Sequence, residues 1–198
     1  MKKWQLKKLE QLRELKKDKE MKTDIAEVLL DEQTIQNKVM ELGKKISEDY
    51  KDKNPVMVCI LKGGVIFLTD LIKNISIPLE LDFMSLSSYG DTTKSSGVVK
   101  IKKDIDVDIT GRHVIIIEDI VDSGLTLKYI NEYFKRHKPA SVKICALLDK
   151  PGAHKTDIYI DYKGFEVGNE FVVGYGLDYA QKYRNLPYIG ILKKEIYS

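Results

Sequence analysis

The chain has 198 residues, of which 43% are hydrophobic and 32% are charged, a composition typical of a globular protein with one domain. The formal net charge of +3 is uneven: residues 1–20 hold eight Lys or Arg and four Asp or Glu, and the rest of the chain carries −1. A nearly neutral body argues against nucleic-acid binding, and no apolar run approaches the roughly 20 residues that span a bilayer.

The two cysteines, Cys59 and Cys145, each lie within an apolar, strand-like run. This placement favours buried thiols in a reducing compartment over a disulfide or a metal pair. The three histidines show no metal-ligand spacing. These features together predict a cytoplasmic protein.

Residues 3–20 contain no glycine or proline and predict a helix, so we expect a helical extension over residues 1–20 and a domain over residues 21–198. The leucines of this helix are spaced by three, so their stripe drifts around the helix instead of forming one face. We interpret the helix as a docking arm against the domain or a neighbouring subunit. A membrane surface or a nucleic acid is the alternative partner, which the four acidic residues disfavour.

The domain is predicted to begin with a strand over residues 25–30 and a helix capped by Asp31. Residues 56–61 form a continuous apolar run, typical of a strand that is covered on both faces. Further strands are expected over residues 78–86, 98–102, 113–117, 142–148 and 188–192, with helices after Gly64 and Gly124 and a mobile polar loop over residues 87–97. The alternation of strands and helices indicates an α/β fold with a parallel sheet, and the strand-rich C-terminal quarter predicts a small lobe.

The segment from Val114 to Thr126 carries the strongest functional signal. It reads as an apolar strand, a short acidic loop and a helix, which is the place where ligands bind in open parallel sheets. Ser123, Gly124 and Thr126 lie at the helix start, where backbone N–H groups and the helix dipole favour a phosphate.

Three carboxylates, Glu118, Asp119 and Asp122, lie within five residues of one another in the same segment. Their mutual repulsion is costly unless cations or hydroxyl donors lie between them. Paired acids beside a phosphate cradle suit a sugar phosphate and Mg²⁺, which prefers oxygen ligands. The alternative is an acidic turn in which Asp122 caps the helix.

Residues 115–126, with the sequence IIIEDIVDSGLT, resemble the phosphoribosyl-diphosphate motif of type I phosphoribosyltransferases. Further matches narrow the resemblance to the hypoxanthine-guanine phosphoribosyltransferase family and extend it over residues 22–197. They are LKGG at 61–64, SYG at 88–90, GFEV at 164–167, FVVGYGLDY at 171–179 and RNLP at 184–187. The resemblance implies the type I fold, a central parallel sheet flanked by helices with a small C-terminal hood lobe.

The resemblance also implies roles in binding phosphoribosyl diphosphate. Glu118 and Asp119 would hold the ribose hydroxyls and Mg²⁺, and Asp178 would be a ligand of a second Mg²⁺ at the pyrophosphate. The 5′-phosphate would bind to residues 122–126, that is, Asp122, Ser123, Gly124, Leu125 and Thr126. The pyrophosphate would contact Lys62, Gly63 and Arg184, and the Leu61–Lys62 peptide can be cis in this family.

For the purine, the resemblance implies that Lys150 donates to the 6-oxo group, Phe171 stacks on the base and the Val172 carbonyl accepts from the 2-amino group of guanine. Asp178 lies in the same pocket. Such a pocket rejects adenine, whose 6-amino group would place a donor against a donor. Asp122 is the predicted general base for the N7 proton. Ser88 and Tyr89 would belong to a lid that excludes water.

The implied function is purine salvage by a homodimer or homotetramer acting on small molecules, with the preference among hypoxanthine, guanine and xanthine left open. The main alternative is a non-catalytic regulator that senses phosphoribosyl diphosphate, which need not keep Lys150, Phe171 or Asp178. A phosphoacceptor signalling domain is a weaker alternative, because its acids should come from separate strands.

Overall fold

The computed structural model describes residues 21–88 and 99–198, which leaves the predicted arm and Tyr89 outside the described residues. None of the helices in the described part is both long and apolar enough to cross a membrane. The strands are β1 Ile25–Leu30, β2 Val56–Leu61, β3 Glu80–Ser88, β4 Val99–Lys103, β5 His113–Val121, β6 Ser141–Asp149, β7 Tyr162–Glu166, β8 Val172–Val173 and β9 Ile189–Leu192. The helices are α1 Glu32–Asp49, α2 Gly64–Lys73, α3 Leu125–Lys135 and α4 Lys194–Tyr197, with a 3₁₀ turn over Pro151–Ala153.

The main sheet has six strands in the order β4-β3-β2-β5-β6-β7. All neighbouring pairs are parallel except β3 and β4, which run antiparallel at one edge. The chain moves outward from β2 to β3 on one side and from β5 to β7 on the other. The carboxyl ends of β2 and β5 therefore flank a topological switch point, where open α/β sheets bind ligands.

Alternating side chains of the main sheet build two hydrophobic cores. Met57 and Cys59 face α1 and α2, whereas Val56 and Val58 face α3. The predicted helix cap is confirmed, because the carboxylate of Asp31 accepts the N–H of Thr34 at 2.7 Å. The four predicted core residues of α1 are all buried: Ile35, Val39, Leu42 and Ile46.

A second, three-stranded antiparallel sheet in the order β1-β9-β8 forms the hood. The hood is thus not wholly C-terminal, since its edge strand comes from residues 25–30. Conversely, β7 lies in the C-terminal quarter but pairs in parallel with β6 and extends the main sheet, with Tyr162 opposite Cys145. A hydropathy pattern can identify a strand but not the strand that pairs with it, so the sequence could not predict the pairing of β1 and β7.

Both cysteines are buried and free, as predicted. Burial is the main reason that the pKa of Cys59 rises to about 12, and the carboxylates of Glu118 and Asp119 add to the effect. Burial also raises the pKa of the Cys145 thiol. Neither thiol is in a state that favours nucleophilic or metal-binding chemistry.

Candidate active site

The acidic pair Glu118 and Asp119 lies on β5 itself, not in a loop. The sequence predicted that the strand would end at residue 117, but pairing with β6 continues through Val121, which lies opposite Asp149. Strand pairing therefore fixes both acids at the carboxyl end of the sheet.

The carboxylate of Glu118 is poorly compensated by the protein. Its Oε2 atom is buried without a hydrogen-bond partner among the described residues. Burial raises the pKa of Glu118 well above its usual range, and the neighbouring charge of Asp119 raises it further. An unpaired buried carboxylate oxygen is costly, so this atom is suited to a hydroxyl donor or a cation supplied by a ligand.

Asp119 is held more firmly. Its Oδ1 atom accepts the N–H of Ile120 at 2.9 Å. Burial raises the pKa of Asp119, while hydrogen bonds and the positive charge of Arg184 partly oppose that rise. In the described part of the chain, no three His, Cys, Asp or Glu side chains converge on a possible metal position. Two carboxylates with substrate oxygens and water complete a coordination shell that Mg²⁺ accepts, so the residues present fit this ion.

The start of α3 is the place where the sequence predicts a phosphate cradle. Gly124 is the N-cap residue, with a left-handed φ of 75°, and no side chain caps the helix. A Cβ atom at this position would lie 3.0 Å from Cγ2 of Thr156, a tight contact that adds to the backbone preference for glycine. The Ser123 carbonyl accepts the N–H of Lys155 at 2.9 Å, which ties the cradle to the loop after β6. The first backbone N–H groups of a helix have no hydrogen-bond acceptor within the helix. The residues around these groups in α3 are Ser123, Leu125 and Thr126.

Asp122 does not serve as the helix cap. It is exposed immediately after β5, and the N-cap position belongs to Gly124. The alternative interpretation of the segment, an acidic turn in which Asp122 has only a capping role, is therefore wrong. The carboxylate is left available to a ligand at the carboxyl end of the sheet.

The loop between β2 and α2 packs directly against the acids. Its Leu61–Lys62 peptide bond is cis. A Cβ atom on Gly63 would lie 1.6 Å from Oδ2 of Asp119, and one on Gly176 would lie 2.1 Å from the Gly63 carbonyl oxygen. Three backbone segments thus meet so closely here that only glycine fits at positions 63 and 176.

The hood brings Asp178 and Arg184 to this loop, and together they form an ion pair at 2.6 Å. Arg184 also donates to the Gly176 carbonyl at 2.7 Å. Gln181 was not predicted as a site residue, but it links Asp178 to Lys62. Its N–H donates to Asp178 at 2.8 Å, and its side-chain oxygen accepts from Lys62 at 3.1 Å. Gln181 has a φ of 64°, and a turn residue with positive φ cannot be identified from its hydropathy.

Of the four predicted purine residues, Lys150, Phe171 and Val172 are connected near the end of β5, whereas Asp178 lies with Arg184. The N–H of Lys150 donates to the Val121 carbonyl at 2.9 Å, and its ammonium group donates to the Glu170 carbonyl at 2.8 Å. Phe171 follows Glu170 directly and is half-buried, and Val172 begins β8. Lys150 therefore connects the end of β5 with the segment that carries Phe171.

Asp149 was also missed from the sequence. It is buried, and its carboxylate contacts His154 at 2.7 Å and Lys163 at 3.2 Å. Its carbonyl accepts the N–H of Val167 at 2.9 Å. These contacts support the turn that positions Lys150. Of the two predicted lid residues, Ser88 ends β3 and Tyr89 lies outside the described residues.

An acidic strand end beside the start of a helix, at the switch point of an open α/β sheet, is typical of proteins that bind phosphate-bearing ligands. The sequence model of the phosphoribosyl transferase domain family matches residues 26–180, so the chain belongs to this family.

Within the family, the chain is similar to hypoxanthine-guanine phosphoribosyltransferases. The chain is 56% identical over 177 residues to the hypoxanthine-guanine phosphoribosyltransferase of Bacillus subtilis, covering 89% of this chain and 98% of the relative. It is 53% identical to the enzyme of that name from Streptococcus thermophilus, covering 90% and 99%. A crystal structure of a hypoxanthine phosphoribosyltransferase from Staphylococcus aureus superposes with a TM-score of 0.87 and 51% identity over 90% of this chain and 97% of that one. The predicted family and fold are thereby confirmed.

Proposed function

We propose that this phosphoribosyltransferase transfers the 5-phosphoribosyl group of phosphoribosyl diphosphate to hypoxanthine or guanine, forming IMP or GMP and pyrophosphate in purine salvage. The observation that best supports this proposal is the position of Lys150. Its N–H donates to the Val121 carbonyl at the end of β5, and its ammonium group donates to the carbonyl of Glu170, the residue before Phe171. This connection supports a purine pocket beside the phosphate cradle.

Phosphoribosyl diphosphate would bind across the switch point. The N–H groups and hydroxyls of residues 123–126 suit the 5′-phosphate, and the unpartnered Oε2 of Glu118 suits a ribose hydroxyl or Mg²⁺. Magnesium, when bound, offsets the charge of the diphosphate; Glu118, Asp119 and Asp178 are the residues that would hold it.

The pyrophosphate would lie between the loop of Lys62 and Gly63 and the hood. Asp178 and Arg184 form an ion pair at 2.6 Å. We propose that this pair separates when substrate binds: Arg184 turns to the pyrophosphate, and Asp178 becomes available to a metal. Planar guanidinium groups suit such contacts because they donate to two phosphate oxygens at once.

The purine would lie between Phe171 and the end of β5. Lys150 would donate to the 6-oxo group, and the Val172 carbonyl would accept from the 2-amino group of guanine. Adenine presents a 6-amino donor to the Lys150 donor, leaving both groups unpaired, so the pocket discriminates against it.

In the reaction, N9 of the purine forms a bond to the ribose C1 as the bond from C1 to the pyrophosphate oxygen breaks. Asp122 accepts the proton from N7, which keeps the purine neutral as its N9 electrons are used. The carboxylates of Glu118 and Asp119 lie near the developing oxocarbenium charge and stabilise it. Ser88 and Tyr89 would close over the site and limit hydrolysis.

A homodimeric or homotetrameric assembly, a cytoplasmic location and a docking role for residues 1–20 stay predictions. Removing residues 1–20 and measuring the molecular mass and activity tests the docking role. A variant with unchanged mass and activity would show that the extension does not build the assembly.

The function is tested with purified protein, phosphoribosyl diphosphate and Mg²⁺, offering hypoxanthine, guanine, xanthine and adenine in turn. We expect nucleotide formation with hypoxanthine and guanine, none with adenine, and loss of activity when a chelator removes the metal. A regulator of the same fold would bind phosphoribosyl diphosphate without turnover of any base, and that outcome would overturn the proposal.

A further inference from the structure

Phe171 is one of three aromatic rings that contact one another in the hood, here named the hood triad: Phe171, Tyr179 and Tyr197. The ring of Tyr197 stacks on Phe171 with centroids 4.8 Å apart and planes inclined by 25°. Tyr179 meets Phe171 edge-on at 5.6 Å and 89°, and meets Tyr197 at 6.4 Å and 66°. Because each ring touches the other two, the triad fixes the plane of Phe171.

The position of Tyr197 is set by the hood itself. Tyr197 ends the single-turn helix α4, and such a short terminal helix frays unless other contacts hold it. Here the N–H of Leu192 donates to the Phe171 carbonyl at 2.8 Å, and the N–H of Lys193 donates to the Asp24 carbonyl at 3.0 Å. Tyr197 and Ile196 both pack against the hydrophobic cluster of the hood. The segment that leads into α4 is therefore tied to Phe171 and to Asp24, which precedes β1.

We infer that Tyr197 is a positioning residue for purine recognition, holding Phe171 in the orientation in which it stacks on the 6-oxopurine. The inference rests on the proposed function. The ammonium group of Lys150 is held by the Glu170 carbonyl, and the cradle of residues 123–126 lies between the end of β5 and the first turn of α3. Loss of Tyr197 therefore weakens the stacking contact but leaves the 6-oxo contact and the phosphoribosyl diphosphate site in place.

The test compares steady-state constants of Tyr197→Leu with those of the wild type and of Tyr197→Phe, which keeps the ring. In Tyr197→Leu we expect KM for hypoxanthine to rise roughly three- to tenfold, the range of one aromatic pair. The kcat value and KM for phosphoribosyl diphosphate stay unchanged, and Tyr197→Phe restores the wild-type KM for hypoxanthine.

The matched control is Ile196→Ala, which removes a side chain of the same helix and the same hydrophobic cluster but no ring contact. It should leave KM for hypoxanthine unchanged. An equal rise in this control would show that general hood packing, and not the ring of Tyr197, sets purine affinity, and would overturn the inference. An unchanged or lowered KM for hypoxanthine in Tyr197→Leu would do the same.

Thermal melting of each variant separates unfolding from the specific effect. If Tyr197→Leu does not fold, Tyr197→Met takes its place with the same expected rise in KM. Wild-type protein that forms no nucleotide from hypoxanthine would refute the proposed function. Active wild-type protein with insensitive Tyr197 variants would refute only the positioning role.

Discussion

Asp122→Asn is the substitution that most sharply separates a chemical role from a structural one. The amide has the shape of the carboxylate but cannot accept the purine N7 proton at neutral pH. Asp122 is exposed, and the helix that follows is capped by the backbone of Gly124, so the protein does not use this carboxylate to stabilise its fold.

Asp122→Asn should therefore have effects of different size on the stability of the protein and on the reaction rate. A surface substitution without a structural contact changes the free energy of unfolding by about 0.5 kcal/mol or less. Loss of a general base lowers the rate by about 10²- to 10⁴-fold. The N–H groups of the phosphate cradle remain, so we expect the affinity for phosphoribosyl diphosphate to change little.

The assay measures kcat with saturating hypoxanthine, the affinity for phosphoribosyl diphosphate by calorimetry, and the melting temperature. Glu132→Gln is the matched control, because it makes the same acid-to-amide change at an exposed position of α3. We expect the control to keep full turnover. Turnover of Asp122→Asn close to that of the wild type, with the fold intact, would refute the assignment of Asp122 as the base.

Three further substitutions test separate parts of the account. Gly63→Ala should lower the calorimetric affinity for phosphoribosyl diphosphate and Mg²⁺ by about a hundredfold, because the added Cβ lies 1.6 Å from Asp119 Oδ2 and displaces that carboxylate. Gly152→Ala is the control and should leave this affinity unchanged, because its Cβ would lie at an ordinary 3.5 Å from Asn169 and its backbone has no positive φ. Lys150→Met should raise KM for hypoxanthine roughly 10- to 150-fold by removing a charge-assisted hydrogen bond, and a rise in KM for phosphoribosyl diphosphate instead would contradict its purine role. Burial raises the pKa of Asp82, but its backbone N–H donors outweigh burial and hold that pKa below the ordinary 3.8. The stabilising effect of the Asp82 carboxylate is thus present at neutral pH and is lost as the pH falls through the lowered pKa. In urea unfolding, Asp82→Asn should reduce the free energy of unfolding by about 1–3 kcal/mol at pH 7 and by less under acid conditions. An equal loss at both pH values would contradict this.

The strands of the central sheet were predictable because their residues carry strong local signals. The apolar run of β2 and the core spacing of α1 can be identified without a partner, and the capping of α1 by Asp31 follows from local backbone geometry. The functional segment was equally local, since the acids, the glycine and the hydroxyls of residues 118–126 lie together in the sequence.

The remaining features depend on contacts between distant residues. The end of β5 moved from residue 117 to Val121 because β6 continues the ladder beside the acids. Strand β1 joined the hood through pairing of Ile25 with Leu192, which are separated by most of the chain. The contact of Gln181 with Lys62 and the contact of Asp149 with Lys163 form only when the fold brings these residues together.

The most direct measurement quantifies IMP and pyrophosphate formed from phosphoribosyl diphosphate and hypoxanthine in the presence of Mg²⁺. The account predicts that the two products appear in equal amounts and that adenine in place of hypoxanthine gives neither. Pyrophosphate without IMP would indicate hydrolysis, and binding without either product would indicate a sensor; both results would contradict a purine phosphoribosyltransferase.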